Sequence, residues 1–84
     1  MQIVWDEPKR QANIAKHGFD FADLTVEFFL SATVIRAHSG RLAAIGTLKN
    51  GTVTTIYMEL GTEALSVISL RTASKKERQI HEGI

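Results

Sequence analysis

Asn50-Gly51 is the dipeptide that most constrains this chain, because it stands between two stretches that alternate apolar with polar residues. A two-residue type I′ turn needs positive φ at both central positions, and asparagine followed by glycine tolerates that best. The spacing therefore predicts a β-hairpin with strands at about 41–48 and 52–59. The flanking pattern adds more strands to it. Ala32 to Ala37 is rich in β-branched residues and can pair with Arg41 to Leu48 across Ser39-Gly40. Gly61-Thr62 makes a further turn. Beyond it Leu65, Val67, Ser69 and Arg71 alternate on one face, with Ser66, Ile68 and Leu70 on the other.

The N-terminal third has a different period. Gln2 to Trp5 is a short β-prone opening, after which Asp6 can cap a helix whose first turn accepts Pro8 without losing a needed N–H. That helix runs to about Lys16, and Gly18 sits where a left-handed residue ends helices. Asp20 can cap a second helix with Phe21, Leu24, Thr25 and Phe28 on one stripe. A charged helix closes the chain. The predicted order is β-α-α-β-β-β-β-α, an α+β fold with an antiparallel sheet and helices mainly on one face, which Ile45, Ile56 and Ile68 would meet. Trp5, Phe19, Phe21, Phe28 and Phe29 read as core.

Composition bounds the rest. At 84 residues and 44% apolar content, residues 1–84 suit one domain with a modest core and leave no room for a second. Without cysteine there is neither a disulfide framework nor a thiolate metal site. Three scattered histidines, with no carboxylate at ligand spacing, point to no metal and no cofactor. No apolar run approaches the roughly 20 residues of a membrane span, and the N-terminus lacks signal-peptide order, so a soluble, cytoplasmic protein is expected. A net charge of +1 marks no nucleic-acid binder by itself, so such a role depends on how the cations are distributed.

They gather in two places. Lys9, Asn13 and Lys16 recur at i, i+4 and i+7 on one helical face, with His17 at the helix exit beside Gly18. A solvated lysine stripe and a histidine C-cap are the structural alternatives. In the second place, Ser74-x-x-Glu77 has the form of a capping box. Arg71 enters from the strand just before it, and Lys75, Arg78 and either His81 or Glu82 follow at helical spacing, so cations and an imidazole can converge on one edge. Phosphate suits that edge, because arginine offers bidentate donors and a helix N-terminus adds free N–H groups. Spacing does not separate this from a solvated basic face. His38 falls in a turn and is expected in solvent.

Trp5-Asp6, Lys9, Asn13, Lys16-His17-Gly18, Phe21 and Phe28, followed by Arg41, Ala44-Ile45-Gly46, Tyr57 and Ile68-Ser69-x-Arg71-x-Ala73-Ser74-x-x-Glu77-Arg78, resemble the BrnT family of type II toxins. The resemblance spans nearly the whole chain. It implies a RelE-like ribonuclease fold and a metal-independent endoribonuclease that halts translation. It also implies neutralisation by BrnA, a ribbon-helix-helix antitoxin. The expected assembly is a 2:2 heterotetramer that reaches operator DNA only through the antitoxin. On this resemblance Arg71 and Arg78 would neutralise the phosphate, and His17 and His81 would transfer protons, with Glu59 as a carboxylate alternative. Lys9, Lys16, Arg41, Ser74 and Lys75 would hold the RNA backbone. Family members usually carry a tyrosine where this chain has His81. A catalytically inactive member that binds antitoxin as a co-repressor is therefore the alternative.

Overall fold

Strand-forming residues from Thr33 to Thr72 fold into four consecutive antiparallel strands, to which the N-terminus adds a fifth. The computed structural model describes residues 1–83. Its elements are β1 (Gln2–Trp5), α1 (Glu7–His17), a single 3-10 turn (Phe21–Asp23), α2 (Val26–Ser31), β2 (Thr33–Arg36), β3 (Leu42–Leu48), β4 (Gly51–Leu60), β5 (Ala64–Thr72) and α3 (Lys75–Glu82). The fold is α+β, but the sheet is mixed rather than antiparallel. Its order is β1-β5-β4-β3-β2, and β1 runs parallel to β5. Four residues carry no local signal of strand direction, so pattern alone could not give this pairing.

Three other expectations shift for identifiable reasons. The hairpin between β3 and β4 is present, but Leu48 pairs with Gly51, so Lys49 and Asn50 form the turn and Lys49 takes φ +57°. Moving the turn by one residue offsets the partner strand by two and leaves every side chain on its face, so alternation fits both registers. The second helix is split. Asp20 caps only the 3-10 turn, Leu24 is extended, and Thr25 caps α2 by accepting from the Phe28 N–H. The break lets Phe21, Leu24 and Phe28 all reach the core. Finally, β5 carries a bulge at Ile68, opposite the Ile56–Tyr57 step. Beyond it the alternation inverts, so Leu65, Val67 and Leu70 share the buried face while Ser66, Ser69 and Arg71 share the other.

The helices occupy both faces of the sheet. The 3-10 turn and α2 cover the face formed by Ala44, Val53, Tyr57, Leu65, Val67 and Leu70, where Phe21 and Phe28 complete the main core. Trp5 meets Phe21 edge-on at 6.4 Å, and Phe29 bridges Phe28 and Tyr57, each at 5.2 Å. Gly46 is required there, because a Cβ would lie 2.9 Å from Cε2 of Phe28. Ile45 and Ile56, expected on the face that most helices cover, lie on the reverse face, where α3 alone rests.

That helix follows one rung of the sheet. Thr33, Ile45, Thr54 and Arg71 are successive cross-strand partners from β2 to β5. His81 meets Thr33 at one end of the rung, and Glu77 meets Thr54 and Arg71 at the other. Between them Ile45 is fully buried. No residue of α3 is itself buried, so polar contacts hold it down.

One buried side chain ties the N-terminal helix to the β5 edge, and Arg10 ties it to Asp20 at the 3-10 turn. Asn13 is its only buried residue. Pairing between β1 and β5 ends at Val67, and beyond that the β5 edge needs other partners for its peptide groups. Asn13 supplies them at Leu70: Oδ1 accepts from the Leu70 N–H at 3.0 Å and Nδ2 donates to the Leu70 carbonyl at 2.8 Å, with a second donation to Phe19 O at 3.0 Å.

Replacing Asn13 with alanine strands buried peptide groups of β5 and should lower stability by about 3 kcal/mol, read from urea unfolding. Gly46→Ala should cost about 1–3 kcal/mol by pushing Phe28 aside. A neutral result for either substitution contradicts these packing assignments.

Candidate functional site

Because Asn13 fixes α1 against the β5 edge, the residues beside it on the helix overlook the bulge. Lys9, Ala12, Asn13, Lys16 and His17 line one side of an open cleft of about 240 Å³, and Ile68 and Ser69 form the other. Both lysines are exposed and His17 is half-buried. None of the three has its side chain in a hydrogen bond or ion pair within the described residues, so all three stay available to a ligand. Arg71 follows Ser69 by two residues on the same face of β5, roughly 7 Å along the strand.

At the start of α3 the groups are already partnered. Ser74 is the N-cap of a complete capping box: its hydroxyl accepts from the Glu77 N–H at 3.1 Å, and Glu77 accepts from the Ser74 N–H at 2.9 Å. Arg71 donates to both oxygens of Glu77, at 2.7 and 3.0 Å, and the Thr54 hydroxyl donates at 3.0 Å. The Arg71 hydrogen bonds, reinforced by the Ser74 N–H and Thr54, hold the Glu77 carboxyl down at about 2 against the partial burial that opposes them. Glu77 in turn pushes the Arg71 guanidinium further up.

The convergence expected along α3 is not what the fold builds. Arg71 lies beneath the helix, bound to Glu77. Arg78 turns to the Ala73 carbonyl at 3.1 Å and lines a separate hollow with Phe19, Thr72 and the β3–β4 hairpin. His81 is at the opposite end of the rung, its Nδ1 2.9 Å from the Thr33 hydroxyl, roughly 14 Å from β5 by three strand spacings. The helix turns i and i+4 over different strands, and spacing alone could not show which strands those are. Lys75 is exposed at the first turn of α3, Arg41 is exposed in the β2–β3 loop beside Arg36, and Glu59 is exposed on β4. His38 is in solvent, as expected. Among the described residues no three His, Cys, Asp or Glu side chains stand together at ligand distance.

Sequence reasoning missed Ser69 and the part played by Asn13. Asparagine is a poor mid-helix residue, and its presence between two lysines was the available signal. For Ser69 the signal was hidden by the bulge.

A small α+β domain with a basic cleft beside a bulged strand is the class of protein that these features define. The family model described as "Ribonuclease toxin, BrnT, of type II toxin-antitoxin system" matches residues 5–77, and the chain belongs to that family. Among solved structures, the ribonuclease toxin BrnT of Brucella abortus is 58% identical and superposes with a TM-score of 0.84, covering 89% of this chain and 99% of that one. No curated protein sequence matches the chain significantly. No helix among the described residues is long and apolar enough to cross a membrane.

Glu77 also gives the fold a pH dependence whose sign follows from its shift. Its carboxyl is depressed from 4.5 to about 2 in the folded chain, so its stabilising contribution is present above 4.5 and is lost as pH falls toward 2. Thermal melts across that window should show falling stability. Glu77→Gln should flatten part of the slope, leaving the share of Asp20, which Arg10 holds at about 2. An unchanged slope would show that the Arg71–Glu77 pair adds nothing to the folded state.

Proposed function

We propose that this chain is a metal-independent endoribonuclease that arrests translation in the bacterial cytoplasm, with RNA lying in the cleft between α1 and β5. The carrying observation is the gathering of Lys9, Lys16 and His17 opposite Ser69 on one opening, all three unpartnered among the described residues. Membership of a family of ribonuclease toxins supports the reaction class, and the RelE-like label for the fold belongs to the same reading.

The chemistry needs three services. The RNA's 2′-hydroxyl loses a proton and attacks the adjacent phosphorus, the bond to the 5′-oxygen breaks, and that oxygen gains a proton, leaving a 2′,3′-cyclic phosphate. Negative charge grows on the non-bridging oxygens meanwhile. Lysine ammonium groups at the cleft rim offset that charge. His17 is the imidazole in position to take or return a proton. Arg71 borders the cleft and joins the phosphate site if it exchanges Glu77 for RNA. Ser74, Arg78 and His81 are assigned to holding α3, because the Ser74 hydroxyl, one Arg78 nitrogen and the His81 Nδ1 already engage the cap, Ala73 and Thr33. Neutralisation falls to a BrnA-type ribbon-helix-helix antitoxin in a 2:2 complex, which alone contacts operator DNA.

A second reading, an inactive antitoxin-binding co-repressor, has the Arg71–Glu77 pair in its favour, since the strongest phosphate ligand is already occupied. Purified protein incubated with RNA in chelator separates the two. Cleavage should persist, fall about a hundredfold in His17→Ala, and fall about tenfold or more in Lys16→Ala. Cleavage that needs added metal, or that is undiminished in His17→Ala, overturns the assignment. No cleavage and no growth arrest on induction, with a ribbon-helix-helix partner still bound, would favour the co-repressor.

A further inference from the structure

The reverse face of the sheet is only partly covered. α3 occupies the rung from Thr33 to Arg71, and below it lie Ile56 with Ser69, then Met58, Ser66 and Val4, then Leu60, Ala64 and Gln2, each set being cross-strand partners. Val4 on β1 and Met58 and Leu60 on β4, the two strands that flank β5, are 37%, 40% and 49% exposed, a high share for large apolar side chains. These rows contain no ionisable side chain. Their border is basic toward the helices and β3, where the Lys9–Lys16–His17 cleft adjoins them through Ile68 and Ser69 and Arg41 immediately precedes Leu42, the β3 partner of Tyr57; Glu63 stands at the far end, beside Ala64.

We infer that this uncovered apolar face is where the protein antitoxin docks, with an amphipathic segment that lays apolar residues on Val4, Met58 and Leu60 and brings acidic side chains to the lysine cleft. Three occupants compete for such a face. RNA would find no cation and no aromatic ring on these rows to meet phosphate or stack a base. A second copy related by a two-fold axis would bring an identical basic border toward the first. An acidic, amphipathic protein segment satisfies both the apolar rows and their rim. A type II toxin must bind a protein antitoxin, and this face lies next to the opening that the antitoxin would have to close. The occlusion of RNA rests on the functional reading above; the docking site does not.

The test uses the full chain and a BrnA-type ribbon-helix-helix antitoxin protein that binds it, with binding followed by calorimetric titration. Met58→Glu with Leu60→Glu should weaken antitoxin binding about a hundredfold or more while far-ultraviolet dichroism stays unchanged. Co-expressed antitoxin should then no longer relieve the growth arrest that the double variant still causes. Leu30→Glu with Val34→Glu, exposed on the opposite face and edge, should bind like the parent chain. Parent-like affinity in the Met58 and Leu60 variant, or a loss confined to the Leu30 and Val34 variant, overturns the proposal. So does a dimer of the parent chain that the Met58 and Leu60 change converts to monomer while antitoxin still binds. If the chain cleaves no RNA, the titration still decides the docking site, and the failure belongs to the reaction alone.

Discussion

The amide of Asn13 is the contact on which the arrangement of this molecule depends. β1 ends at Trp5, opposite Val67, yet β5 continues to Thr72, so peptide groups on that edge would otherwise face a helix with nothing to offer them. An asparagine presents one acceptor and two donors, and all three are used here within one turn of geometry. The helix thereby takes the place of a strand. Its direction along β5 is fixed at a single point, and Lys9 and Lys16, one turn either side, are carried to the bulge. Burying a lone amide without those partners would be costly, so the helix has one admissible register against the sheet.

The other terminal helix is held by opposite means. α3 buries no residue and contributes one sizeable apolar side chain, Ile80, which is 38% exposed. Its position comes from Glu77, which closes the capping box, accepts from Thr54 and receives both arms of Arg71. The carboxylate is partly shielded and multiply hydrogen-bonded, conditions under which an ion pair keeps its value better than on an open surface. A helix held by polar contacts answers to pH and to competing anions through Glu77, whereas α1 is fixed by a neutral amide and answers to pH only through the Arg10–Asp20 pair.

Element types were largely legible in the sequence because they rest on local chemistry. Asp6 and Ser74 cap helices as their side chains predict, Gly18 takes φ +75°, and the strands fall where alternating runs were read, although β5 changes phase at its bulge. What could not be read depends on partners far along the chain. The Lys49–Asn50 turn and the Asn50–Gly51 turn leave the same faces buried, so the choice lies in cross-strand fit. The direction of β1 is set where it meets β5, some sixty residues later. For the candidate site, the α1 cations were visible as a stripe and the capping box as a motif. The expected convergence along α3 failed because strand identity under each helical turn is a tertiary fact.

The bulge at Ile68 links these pieces. Continued alternation would place Ser69 and Arg71 on the same face as Leu65 and Val67, sending a guanidinium into the core among Phe21, Val53 and Tyr57, and would turn Leu70 outward. Such a burial is not tolerated without a partner there. One extra residue inverts the phase: Leu70 enters the core at 0% exposure, Ser69 becomes a wall of the cleft, and Arg71 comes under α3 within reach of Glu77. A bulge also locally disrupts strand pairing, and it falls where β1 stops and Asn13 takes over the edge. The irregularity is therefore what gives one strand a core face, a basic cleft and a helix-docking arginine within seven residues.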